Sequence, residues 1–134
     1  MKSGKQETVP IASSSDVVLA RQKVRQWALE MKFTLVDQTK LVTAASELAR
    51  NALEHGKGGQ MVIEQVENSI KNGLKLVFED RGPGIADIDA ALRDGYTTGG
   101  GMGLGLGGSK RLVNDFHIES EPGKGTRITV VRWK

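Results

Sequence analysis

Four short stretches combine residue types able to do chemistry. The first is GGGMGLGLGGSKRL, Gly99 to Leu112, in which seven of the first ten residues are glycine. Consecutive glycine amides can turn toward one anion, and a helix starting near Leu106 would add free N–H groups and a favourable dipole. A mobile surface loop is the competing explanation of such a run. The second stretch is ELARNALEH. On a wheel of 100° per residue, Glu47, Asn51 and Glu54 fall along one edge of an apolar face made by Leu41, Ala44, Ala45, Leu48 and Ala52. There Asn51 can offer an oxygen to Mg²⁺, and Glu47 can orient or deprotonate a hydroxyl. The same spacing also describes a solvated face laced by Glu47, Arg50 and Glu54 ion pairs.

The third stretch is GLKLVFED. Leu74, Leu76 and Phe78 alternate onto one face of a strand, and the same count of two puts Asp80 on that face. A carboxylate after three core residues calls for a donor partner, for which an adenine amino group is suitable; a turn-capping aspartate is the simpler alternative. RGPGI follows directly and leaves room beside the carboxylate. In the fourth stretch Thr126, Ile128 and Val130 share a strand face, so Thr126 can offer its hydroxyl to the pocket of Asp80, although threonine is an ordinary strand residue.

Other phosphate-binding schemes fail on context. Gly103, Gly105 and Gly108 satisfy G-x-G-x-x-G, but the preceding DGYTTGG is no buried strand, as a dinucleotide fold requires. Neither GKGG nor GKGT places Ser or Thr directly after the lysine, which closes the P-loop route. A eukaryotic-type kinase needs far more chain and several further motifs.

The elements that must position these residues are legible from periodicity. Residues 1–8 are polar and read as a flexible tail, followed by a single domain over 9–134. Val17, Ala20, Val24, Trp27 and Met31 mark an amphipathic helix capped by SSSD, and a second helix runs from about Asp37 to Gly56. Gln60 to Glu67 and GLKLVFED read as paired strands with Asn72 and Gly73 as the turn. Asp87 can cap a short helix, SKRLVNDF continues a helix after the glycines, and FHIES and TRITVVRW form two last strands around EPGKG. Such a mixture favours an α+β sandwich, a mixed and mainly antiparallel sheet with helices packed on one face.

The composition bounds the partners. Of 134 residues 38% are hydrophobic and 26% charged, as in a soluble globular protein, while aromatics at 4% imply an aliphatic core. Nineteen basic against sixteen acidic residues give +3 without a basic block, which argues against nucleic acid. No cysteine is present, which excludes thiolate catalysis and cysteine-ligated metal and fits a reducing cytoplasm. No apolar run reaches the roughly 18 residues of a membrane span, and the start lacks the apolar core of a signal peptide. The expectation is a cytoplasmic protein with no membrane or nucleic-acid partner, its oligomeric state unspecified.

Taken in order, ELARNALEH, DRGPGI, GMGLGL and GKGT resemble the N box, the two glycine boxes and the terminal turn of the Bergerat-type, or GHKL, ATP-binding fold. Gyrase, a heat-shock chaperone, mismatch-repair ATPases and histidine kinases share that fold. DQTKLVTAASELARN, DGYTTGGGMGLGLGGSKRLVNDF and SEPGKGTRITVVRWK are most similar to the RsbT-like switch kinases of bacterial stress signalling, while ALEH after Asn51 is more like the related anti-sigma kinases. The resemblance implies a serine/threonine kinase using ATP and Mg²⁺, with a STAS-domain protein as substrate and a PP2C-type phosphatase activated by the released kinase. It further implies Glu47 as base, Asn51 as Mg²⁺ ligand and Asp80 as adenine contact. Gly82 and Gly84 would shape the adenine pocket, the stretch Gly101, Met102, Gly103, Leu104, Gly105 and Leu106 would wrap the phosphates, and His55 would lie near the cleft at the helix end. Thr126 would complete the pocket. No phosphoacceptor helix pair is seen, so neither His55 nor His117 is expected to be autophosphorylated; His117 reads as a strand residue. Two other activities fit the same residues: sequestration of a sigma factor regulated by ATP, and a non-catalytic activator that docks on a phosphatase.

Overall fold

The computed structural model describes residues 2–92, 97–98, 102–103 and 106–134. Along the chain these form β1 (Lys2–Ile11), α1 (Ser14–Glu30), α2 (Leu35–Glu54), β2 (Gly59–Glu67), β3 (Asn72–Asp80) and α3 (Ile88–Ala91). Then come β4 (Thr97–Thr98), β5 (Met102–Gly103), α4 (Leu106–Arg111), β6 (Asp115–Ser120) and β7 (Thr126–Trp133). Five strands make one sheet in the order β1-β2-β3-β7-β6, and the two-residue strands β4 and β5 pair with each other. Every neighbouring pair is antiparallel, so the expected α+β architecture is present with a sheet that is antiparallel throughout.

Alternation along the strands decides where the helices go. Met61 and Ile63 of β2, Leu74, Leu76 and Phe78 of β3, and Ile128 and Val130 of β7 are buried together. Against them lie Leu41, Ala44, Ala45, Leu48 and Ala52, the predicted stripe of α2, followed by Ala20, Val24 and Trp27 of α1. The small alanines let α2 come close to the sheet, and it touches β1, β2, β3 and β7. That seat brings the chain at the end of α2, Gly56, against Asp80 at the end of β3.

Helix starts follow their side chains. Ser13 caps α1 by accepting from the Asp16 N–H, while the Asp16 carboxylate accepts from the Ala12 N–H at 2.8 Å, a reciprocal cap. The cap of α2 is Thr34, whose hydroxyl accepts from the Asp37 N–H, so the helix begins two residues before Asp37.

Three expectations are corrected, the simplest being that the helix read through SKRLVNDF ends at Arg111 and gives way to β6 at Asp115. The supposed tail is strand β1, which pairs with β2 from Lys2↔Glu67 to Ile11↔Gly59. Backbone hydrogen bonds hold it, and Lys5 sets its ammonium 4.5 Å from the centre of the Trp27 ring, so hydrophobic patterning carries little of its signal. The β2–β3 turn also lies earlier than Asn72–Gly73: the Asn68 carboxamide accepts from the N–H groups of Ile70 and Lys71 at 2.8 and 2.7 Å. Gly73 belongs to β3 because the Trp133 ring lies across it, leaving 2.6 Å between a Cβ there and ring atom Cε3.

A buried-edge ion pair fixes the other end of α2. Arg132 on β7 donates from Nη2 to Asp37 Oδ1 at 2.6 Å and from Nη1 to the Leu112 carbonyl at 3.1 Å. The Arg132 guanidinium holds the Asp37 carboxyl below the usual carboxylate range.

Candidate functional site

Three strands bring one side chain each into a row. The sheet register pairs Asp80 with Thr126 and Thr126 with Ser120, across β3, β7 and β6. On β6 the alternation that buries Phe116 and Ile118 in part leaves Asp115, His117 and Glu119 exposed, so Ser120 faces the helices. His117 is the exposed strand residue that the sequence indicated.

Asp80 is half-buried at the end of its strand. Its Oδ1 accepts from the Gly82 N–H at 3.0 Å, and the Thr126 backbone donates to it as well. Burial pushes the carboxyl above its ordinary range, and these two backbone donors offset only part of that. A carboxylate in this condition gains from one more donor.

Backbone from three segments closes around it. The last turn of α2 ends where the Asn51 carbonyl accepts from both the His55 and Gly56 N–H groups at 3.0 Å, and Lys57 and Gly58 then reverse the chain with φ of 60° and 95°. This brings Gly56 against Asp80: a Cβ on Gly56 would lie 2.2 Å from Asp80 Cγ. A Cβ on Gly82 would lie 2.5 Å from the Gly56 Cα, and one on Gly125 2.2 Å from the Asp80 carbonyl oxygen. Gly84, at φ 78°, meets the turn before β7, where the Gly123 N–H donates to the Pro83 carbonyl at 2.7 Å. Only residues without a Cβ allow these approaches.

Ser120 ties two of these segments together, the loop at Ile85 and the turn at Gly125, and escaped the sequence reading. Its Oγ accepts from the Ile85 N–H at 2.8 Å, donates to the Gly125 carbonyl at 3.0 Å and lies 2.8 Å from Thr126 Oγ1. The period-two count that placed Asp80 and Thr126 would have found it. A cavity of about 570 Å³, within the range of small-molecule sites, is lined by Asp80, Ser120, Thr126, Ile88 and Ile118 among others.

The other predicted positions are placed unevenly. Glu47 and Asn51 lie one turn apart in the C-terminal half of α2, each partly buried, and His55 is its half-buried C-cap. Glu47 Oε1 receives Arg50 Nη1 at 2.8 Å, with both side chains more than a third exposed, so the ion pair considered at the outset is present. Leu106 opens α4 with its side chain in the core. Gly101, Leu104 and Gly105 lie outside the described residues, and Met102 and Gly103 are the backbone of β5. Among the described residues no three His, Cys, Asp or Glu side chains converge as a cluster that could hold a metal ion. No described helix is long and apolar enough to cross a membrane.

Comparison with known proteins bears on these features together. The profile of the histidine kinase-, DNA gyrase B-, and HSP90-like ATPases matches residues 36–134, from the start of α2 to the last residue. The chain belongs to this family. Within it the chain is an RsbT-like serine/threonine protein kinase of the GHKL type, by homology: it is 47% identical over 128 residues to the serine/threonine-protein kinase RsbT of Bacillus subtilis (strain 168), covering 96% of each chain. It is also 34% identical over 122 residues to an anti-sigma F factor of Clostridium kluyveri, covering 88% of this chain and 86% of that one. The crystal structure of the RsbU and RsbW domains of a Mycobacterium tuberculosis protein superimposes with a TM-score of 0.66 at 21% identity. That match covers 97% of this chain and about a third of the other, and it establishes the fold. Members of the family bind ATP. The half-buried Asp80 carboxylate, with two backbone donors and backbone glycines packed around it, can accept a further hydrogen bond from a bound group.

Proposed function

We propose that the protein transfers the γ-phosphoryl group of ATP to a Ser or Thr hydroxyl of a STAS-domain partner, in a partner-switching pathway whose released kinase activates a PP2C-type phosphatase. The observation that carries this reading is the seating of the end of α2 on Asp80: one helix would present Glu47, Asn51 and His55 beside the carboxylate that would hold the base. In this reading Asp80 accepts from the adenine amine and Thr126 lines the same wall. Gly82 and Gly84 shape the base pocket, and the backbone from Gly101 to Leu106 lies along the phosphates.

Phosphoryl transfer of this kind depends mostly on positioning and charge neutralisation. Asn51 would supply the protein oxygen to Mg²⁺, which when bound offsets phosphate charge. Glu47 would take the proton from the acceptor hydroxyl as its oxygen bonds to phosphorus and the bridging oxygen leaves with ADP. Arg50 donates from Nη1 to one Glu47 oxygen at 2.8 Å.

The test is transfer of labelled phosphate from ATP to purified STAS-domain protein. Glu47→Ala is expected to cut the rate by about 10²- to 10⁴-fold with the fold intact, and Asn51→Ala to lower it severely. Full phosphorylation by either variant removes its assigned role. Similarity to the anti-sigma F factors favours a second reading, nucleotide-regulated capture of a sigma factor. Co-purification of a sigma factor and loss of transcription on adding the protein would establish it.

A further inference from the structure

The hydroxyl of Ser120 sits among three partners and has one proton to give. The Ile85 N–H can only donate to it, and the Gly125 carbonyl can only accept from it. All three contacts are satisfied by one arrangement: Ser120 donates to Gly125, so Thr126 must donate to Ser120. The alternative, with Ser120 donating to Thr126, leaves two oxygen lone pairs facing each other 3.0 Å apart. The proton of Thr126 is therefore committed to β6, and toward the cleft the Thr126 oxygen can only accept. Asp80, beside it in the row, also accepts when ionised.

We infer that Ser120 is a specificity-setting residue: by holding the Thr126 proton it makes this wall of the base pocket an acceptor-only surface, which takes a 6-aminopurine and rejects a 6-oxopurine. The inference rests on the proposal that the site binds ATP, and it adds a residue and a direction of selection. An exocyclic amine at C6 has two N–H groups to offer Asp80 and Thr126. In that pose a carbonyl at C6 would set its lone pairs against both of theirs, and the single N1–H of a 6-oxopurine cannot serve two acceptors placed for the C6 substituent. Without the Ser120 oxygen the Thr126 hydroxyl is released to turn its proton into the cleft and meet that carbonyl.

The experiment compares dissociation constants of ATP and inosine triphosphate, by calorimetry on the full chain, for the wild type, Ser120→Ala and Ser120→Thr. The wild type should prefer ATP by at least about tenfold. Ser120→Ala should lower that preference by about tenfold, mainly by improved relative binding of inosine triphosphate, while Ser120→Thr, which keeps the hydroxyl, preserves it. A merely structural role for Ser120 would weaken both nucleotides by one factor, and that result, or an unchanged ratio, overturns the inference. Wild-type protein that binds neither nucleotide would overturn the ATP reading itself, and the inference with it. If Ser120→Ala does not fold, Thr126→Val, which removes the oriented oxygen, must also reduce the preference for ATP; an unchanged ratio there is equally fatal.

Discussion

Gly56 offers a direct test of whether the end of α2 and the Asp80 strand form one wall. A Cβ introduced there would lie 2.2 Å from Asp80 Cγ, 2.4 Å from Oδ2 and 2.5 Å from Cβ, against ordinary carbon contacts of about 3.5–4.0 Å. Turning the Asp80 side chain cannot relieve this, because its own Cβ is among the atoms struck; the strand end or the helix turn has to move by about 1 Å. Gly56 does not have a left-handed backbone, so Gly56→Ala acts through contact alone. Overpacking of this size costs about 1–3 kcal/mol, a fall of roughly 4–11 °C in Tm for a chain of this length. Displacing the carboxylate should also forfeit the proposed charged hydrogen bond to the base, which at about 1.5–3 kcal/mol corresponds to ATP binding weaker by about 10- to 150-fold. Thermal unfolding and calorimetric ATP titration of Gly56→Ala read the two effects separately. Gly108→Ala in α4 is the control: a Cβ there meets nothing within 4 Å, so its melting temperature should hold or rise slightly. A folded Gly56→Ala variant with unchanged ATP affinity would refute the argument that these two segments share a site.

Asp80→Asn should abolish most ATP binding yet melt no lower than wild type at neutral pH, because the amide removes the desolvated charge and keeps an oxygen for the Gly82 N–H; clear destabilisation in a melting curve would contradict this. Because the folded carboxyl of Asp80 is raised, its ionised form is the penalised one, so this group adds stability as pH falls through the raised value toward 3.8. Adenine recognition, which in the proposed reading needs the ionised form, should weaken over the same window in calorimetric titrations of the wild type with adenosine. Asp37 has the opposite sign: its depressed carboxyl contributes stability present above 3.8 and lost as pH falls through its lower folded value. Asp37→Asn should therefore cost about 1 kcal/mol at neutral pH, reduced by partial exposure of the pair, and the gap from wild type should close in strong acid; denaturant unfolding at two pH values measures it.

What could be read from the sequence follows which forces leave a one-dimensional trace. Burial leaves a period, and so the stripe of α2, the alternation of β3 and β7, and the inward direction of Asp80 and Thr126 were all legible. Side-chain caps leave a residue type at a position, as with Ser13 and Asp87. Strand β1 leaves little trace, since its first residues are held by backbone pairing and by Lys5 over Trp27. The β2–β3 turn was misplaced because Asn-Gly is a strong turn signal, whereas here the glycine makes room for Trp133 from a strand 60 residues later.

The site extends the same lesson, because its closest contacts are between glycines and the residues they leave room for. Gly56 reads locally as a helix stop, and it is one, but its distance to Asp80 also decides how closely the end of the helix bearing Glu47 and Asn51 can approach the Asp80 carboxylate. Gly82 against Gly56 and Gly125 against the Asp80 carbonyl repeat the device from two other segments. Ser120 then fixes the order of hydrogen bonds among them. A glycine motif quoted alone thus marks a place where backbone comes close without saying to what. Only the antiparallel order β3-β7-β6, which sets Asp80, Thr126 and Ser120 side by side, turns three separate motifs into one surface with a defined set of acceptors.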